Sequence, residues 1–228
     1  RNVSHLVLMD NNFNSMPKIV AEGRRVINNI KSSSSLYLMK TLFTALLAIL
    51  CIAIGIPYMF TPSNMLLLEV AIIAIPSFFL SLQPNKDRVQ GKFISHVMCG
   101  AVAGAVLMIL AVMSMYLIYY VNHELMGMSE FDDYYVAMAM IAMTFSGYVM
   151  VFRTCQPLNA YRSVLSLSVL AVCLAGFTIP FVPAMLYPDW NKLNWNYGQL
   201  MIIVAVIEAT FPVSDWLLKL MHFIMPTS

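Results

Sequence analysis

"HLVLMDNNFNSMPKIVAEGRRVINNIKSSSS" (His5–Ser35) is polar, yet the residues that follow it turn into membrane helix almost at once. Its first part, "VSHLVLMD", is a short apolar run that closes on Asp10. From there Ile19, Val20, Val26, Ile27 and Ile30 recur at helical spacing and approximate one face. Asn14 or Ser15 stands where a helix cap belongs, and Pro17 is acceptable in a first turn because its missing N–H would have no partner there. Neither glycine nor proline interrupts the chain between Gly23 and Gly55. The spacing therefore predicts one helix, from residue 15 to about 56, that begins in water and continues into a bilayer.

The rest of the chain makes the bilayer necessary. Hydrophobic residues are 60% of the sequence, mean hydropathy is +0.76 and charged residues are 11%, against about 25% charged in soluble domains. A soluble chain of this length could not bury so much apolar side chain. Six apolar stretches, approximately 36–56, 63–82, 94–121, 134–152, 162–186 and 198–221, each reach the ~20 residues needed to cross the hydrocarbon core. They lack the two-residue alternation of barrel strands, so the fold class is an all-α integral membrane protein with a six-helix bundle. Residues 1–35 read as the end of a soluble domain plus a stalk helix, and 36–228 as the membrane domain.

Charge distribution sets the expected orientation. Arg1, Lys18, Arg24, Arg25, Lys31 and Lys40 precede or enter the first span; Lys86, Arg88 and Lys92 follow the second; Arg153 and Arg162 follow the fourth; Lys219 ends the sixth. The opposite loops hold Lys192 beside Glu124, Glu130, Asp132, Asp133 and Asp189. The bias predicts both termini in the cytoplasm of a multi-pass cell-membrane protein. The four cysteines are single and read as packing residues, with no CxxC pair. "GAVAG" (Gly100–Gly104) is a GxxxG that predicts close helix packing within the chain.

"LVLMDNNFNSMPKIVAEGRRVINNIK" resembles the segment of cation-transporting P-type ATPases that ends the phosphorylation domain and enters the fifth membrane helix. Asp10, Asn12, Phe13, Glu22, Gly23, Arg24, Asn29 and Lys31 fill the family's pattern. "LLLEVAIIAIPSFFLSLQPN" is similar to its sixth helix, with Pro76 at the helix-breaking proline and Gln83-Pro84-Asn85 at the cytoplasmic exit. The resemblance is strong over residues 5–85 and extends beyond by topology. It implies that residues 1–35 are a remnant of an α/β domain, that Gly23, Arg24, Asn29 and Lys31 belong to a coupling stalk, and that upstream domains of the same chain carry the ATP and Mg2+ sites. No DKTGT, TGES or GDGxND motif is present. The segment alone is thus expected to be inactive, and Asp10 is not the phosphorylated residue.

A cation inside a membrane needs oxygen ligands. Pro76 lacks an N–H and crowds the carbonyl of Ile72, making the carbonyls of Ile72 and Ile73 candidates for release. Glu69 lies two turns earlier on that face, where a charge costs roughly 2.5–3.5 kcal/mol and needs a partner. It reads as an ion or proton ligand, with a structural pairing to Lys40 or to a further helix as the alternative. Lys40 itself is expected to snorkel to the interface. By the resemblance, Glu69 stands where calcium and sodium pumps carry asparagine, Ile73 where the family's key aspartate would be, and Thr44 where calcium pumps carry a ligand glutamate, with Thr41 one turn before. That set implies one ion per cycle. Glu208, four residues before Pro212, is a further candidate ligand or interhelical hydrogen-bonding group, and Asp215 is expected to pair with Lys219.

The resemblance is greatest to bacterial calcium exporters, so Ca2+ is the expected cargo, with Mn2+ or Mg2+ next. Without a membrane CPC motif, copper and zinc are not expected. No nucleic-acid partner is expected; the lipid bilayer is. The alternatives are a stand-alone six-helix secondary transporter or channel, and a non-catalytic membrane segment served by a separate ATPase partner.

Overall fold

The computed structural model describes residues 13–83, 92–122, 134–193 and 195–225; Asp10 and Asn12 lie outside them. Helix α1 (Met16–Ile54) follows a 3-10 turn at Phe13–Ser15 and has Pro17 in its first turn. Its 39 residues reach roughly 58 Å, about twice the hydrocarbon thickness. It crosses residue 35 without a break, because nothing between Gly23 and Gly55 stops it. Gly55 does: at φ 80° its N–H returns to the carbonyl of Cys51, a left-handed cap open to glycine at little cost.

The second span is built of three pieces. Thr61 caps α2 (Pro62–Leu67) through a reciprocal box with Asn64, whose side chain also donates to the carbonyl of Leu186 at 3.1 Å. A π-helical segment (Leu68–Ala74) leads into α3 (Ile75–Leu82). Beyond it run α4 (Phe93–Tyr120), α5 (Tyr135–Thr154), α6 (Ala160–Thr178), α7 (Phe181–Leu186) and α8 (Tyr197–Ile224). Among the described residues, six helical spans are long and apolar enough to cross a membrane.

The fifth stretch departs from the expected single span over 162–186. It breaks after Thr178, and α7 forms separately. Pro180 is the cause: it offers no N–H, and it pushes Ile179 to an extended φ −78°, ψ 112°.

Helix α4 is the hub, packed on α1, α5 and α8. Small residues allow this, for Ala101, Ala103, Ala105 and Ala111 are all buried. Gly100 and Gly104 both face α1, as the GxxxG reading expects: a Cβ at Gly100 would stand 2.5 Å from Ser35 Oγ, and one at Gly104 2.8 Å from Met39 Cγ and 3.2 Å from Met150 Cγ. Replacing Gly104 with leucine forces α1 and α4 apart. The expected loss is about 3 kcal/mol of stability, read as a lower thermal midpoint in detergent, with Gly23→Leu, whose Cβ would meet nothing within 4 Å, as the neutral comparison. All four cysteines are unpaired and buried. Cys155, just past the end of α5, is an inert thiol, since burial raises it above its ordinary value while Arg162 pulls the other way.

Candidate functional site

The π segment places Glu69. Here the N–H of Ile75 reaches the carbonyl of Val70, five residues back instead of four. Pro76 then supplies no donor. In an α-helix the orphaned carbonyl would be that of Ile72; in the π register it is that of Ala71. Ala71 thus joins Ile72 and Ile73 as a carbonyl beside the break, and sequence reasoning missed it because the proline announces a lost donor but not which register meets it. Ala71 and Ile72 are fully buried and Ile73 nearly so. Ile72 and Leu68 lie on Gly147 of α5, where a Cβ would come within 3.1 Å of each.

Glu69 faces the other way. It lines a groove of about 270 Å³ with Tyr37, Lys40, Val70, Ile73 and Ala74. The Lys40 ammonium is paired directly with the Glu69 carboxylate. Lys40 thus makes the pairing that stood as the alternative to snorkelling: its four-carbon stem crosses from α1 to the π segment. The pair is partly open, with the lysine side chain 30% and the glutamate 45% exposed. A larger groove of about 660 Å³, lined by Asn29, Ser33, Ser34, Ser77 and Ser81 together with Val26, Ile30 and Phe78, shares Tyr37 and Ala74 with the first. Together they form one furrow along α1 and α3 that ends at Glu69.

The other expected ligands are not gathered there. Thr41 donates to the carbonyl of Tyr37 at 3.2 Å, and Thr44 to those of Lys40 and Thr41 at 3.2 and 3.1 Å. Both hydroxyls are thus turned onto their own helix. Glu208 is exposed on α8, whose main partners are α4 and α5, and does not line the groove. Asp215 pairs with Arg153 of α5 at 2.9 Å and not with Lys219; the same guanidinium donates to Ser214 Oγ and the carbonyl of Phe211. Among the described residues, no three His, Cys, Asp or Glu side chains converge where a metal ion could sit.

Of the stalk residues, Asn29 has the most specific contacts. It is buried, and its Nδ2 donates to the carbonyls of Ser81 and Gln83 at 3.0 and 2.9 Å. It thereby satisfies carbonyls at the end of α3 that the helix leaves open and fastens α1 to the second span. Asn29→Ala leaves those acceptors unpaired and is expected to cost about 1–3 kcal/mol, measured as a drop in thermal midpoint. Gly23 has open space around it and Arg24 is half-buried; Lys31 lines a separate cavity, with Arg153 and Arg162.

Known proteins resemble this chain over most of its length. "Calcium-transporting ATPase CtpE" of Mycolicibacterium smegmatis is 32% identical over 217 residues, which are 90% of this chain and 27% of that protein. The chain is homologous to cation-transporting ATPases. "Calcium-transporting ATPase CtpE" of Mycobacterium bovis is 29% identical over 230 residues, 96% of the chain and 28% of that protein. "Probable cation-transporting ATPase exp7" of Streptococcus pneumoniae is 26% identical over 221 residues, 91% of the chain and 27% of that protein. The chain spans little more than a quarter of the length of these relatives. No family model matches it, and no solved structure does. The resemblance to P-type ATPases read from residues 5–85 is upheld by relatives that align over nine-tenths of the chain.

Proposed function

We propose that this chain is the membrane-transport part of an ATP-driven P-type cation pump, and that Ca2+ is the ion it moves, with Mn2+ or Mg2+ next. The observation that carries the reading is the alignment of nearly the whole chain with proteins named calcium-transporting ATPases. ATP and Mg2+ would bind in the portion of those relatives that this chain does not span.

Glu69 is the ion's charged ligand. It is a carboxylate on a π-helical turn at membrane depth, at the end of a furrow that polar side chains line from Asn29 onward. Lys40 neutralises it while no ion is bound, so an arriving cation must displace the ammonium. Carbonyls at the Pro76 break add neutral oxygens of the kind a hard cation takes. Helix α1 carries motion from outside the bilayer to this point, because Asn29 and Lys40 lie on the same rigid rod, the first holding the end of α3 and the second the π segment within the same span. The membrane orientation that suits this has both ends in the cytoplasm of the cell. The clustering of Lys31, Arg153 and Arg162 around one cavity supports it, since three cations from distant parts of the sequence then share the positive side.

The test is ATP hydrolysis by the purified full-length protein against a series of divalent cations. Stimulation by Ca2+ above Mn2+, with Mg2+ held constant for ATP, is expected. Hydrolysis indifferent to every cation would sink the reading.

A further inference from the structure

The cavity at the charged end of the bundle holds about 420 Å³ and lies among α1, α4, α5, α6 and α8. Lys31, His96, Arg153, Arg162 and His222 line it, and among the described residues no acidic side chain does. The side chains of Lys31 and His96 make no hydrogen bond or ion pair among the described residues. The two arginines are anchored by only part of their donors. Arg153 uses Nε and Nη2 on Ser214, Phe211 and Asp215, leaving Nη1. Arg162 uses Nε on Gln83 and Nη1 on the carbonyls of Gln156 and Pro157, leaving Nη2. His222 is fixed too: its Nδ1 donates to the carbonyl of Leu218 at 2.7 Å, which leaves Nε2. Its ring stands 6.3 Å from that of His96.

Three cationic side chains and two imidazoles, from four helices and the start of a fifth, surround an open space. Guanidinium donors already held in place lose little freedom on meeting an oxyanion, and the arginine fork suits phosphate oxygens. We infer that this cavity is a binding site for a phosphate group, either the headgroup of an anionic phospholipid or a soluble phosphate. Its position at the ends of membrane spans is where basic pockets between helices take lipid headgroups. The inference stands apart from the Glu69 furrow and needs neither the ion's identity nor the direction of transport.

The experiment uses the full-length protein, stripped of lipid in neutral detergent. Binding of phosphatidylglycerol, phosphatidylcholine and inorganic phosphate is measured in parallel by native mass spectrometry and by equilibrium dialysis. Lys31→Met and His96→Gln remove groups that bond nothing in the protein, so they leave the fold intact. Lys92→Met removes an exposed cation at the same end that does not line the cavity. Phosphatidylglycerol bound about fivefold more weakly by Lys31→Met but normally by Lys92→Met, with phosphatidylcholine not bound, assigns the site to a lipid headgroup. The same pattern for inorganic phosphate alone assigns it to a soluble anion. Equal effects of Lys31→Met and Lys92→Met on every probe, or no binding of either anion, would overturn the site.

Discussion

Glu69→Gln is expected to shift half-saturation of cation-stimulated ATP hydrolysis at least 100-fold in the full-length protein, so that stimulation is lost at cation concentrations that saturate the unmodified protein. Glutamine keeps the shape and one carbonyl oxygen but removes the charge. Among the described residues that line the groove it is the one carboxylate, beside Tyr37, Lys40, Val70, Ile73 and Ala74. Thr41 and Thr44 do not line the groove, and their neutral hydroxyls would not replace the lost charge. A 100-fold shift corresponds to roughly 2.7 kcal/mol. That is less than the ~4 kcal/mol exchanged by two unit charges at 4 Å near a protein surface, and a divalent ion carries twice the charge. Titrating hydrolysis against Ca2+ for Glu69→Gln and Glu69→Asp side by side checks it. A Glu69→Gln enzyme with ordinary Ca2+ dependence would remove Glu69 from the ion path.

Lys40→Met is expected to act in the opposite direction and to tighten apparent cation affinity about tenfold, equivalent to ~1.4 kcal/mol. In the resting protein the ammonium occupies the carboxylate, so an ion binds only by paying for that separation. Methionine has similar length and no charge, which removes the competitor without opening a hole. The gain stays modest because the pair is partly open to its surroundings and is worth correspondingly less than a buried one. The double substitution Lys40→Met with Glu69→Gln should resemble Glu69→Gln alone, which shows that the lysine acts through the carboxylate. Weaker cation binding in Lys40→Met would instead make Lys40 a fixed part of the site's architecture.

How far the sequence foretold these features depends on how far apart the interacting residues stand. Continuous helix α1 was legible because its determinants are local: no helix breaker between Gly23 and Gly55, and an apolar run long enough to cross. Pro76 likewise announced a break. It did not announce the π register, which depends on an Ile75–Val70 bond that tertiary packing selects. The Lys40–Glu69 pair joins residues 29 positions apart, so it could be named only as an alternative to snorkelling. Pro180 carried the signal for the break between α6 and α7, yet the long apolar run from 162 to 186 outweighed it; its effect on Ile179 is local and decisive. Asp215 was read against its helix neighbour Lys219, four residues on. The structure favours Arg153 because a fork-shaped cation on α5 reaches Asp215, Ser214 and Phe211 together. His96 and His222 met only in three dimensions, and Tyr37 beside Glu69 was an unremarked aromatic in an apolar run.

The most direct measurement is Ca2+ uptake by the full-length protein reconstituted into sealed vesicles, followed with and without ATP and Mg2+. The pump reading predicts uptake against a gradient that starts on ATP addition, stops when ATP is exhausted and is lost in Glu69→Gln. Ca2+ that merely equilibrates across the membrane, at the same rate without ATP, would contradict it and leave a passive six-helix pathway.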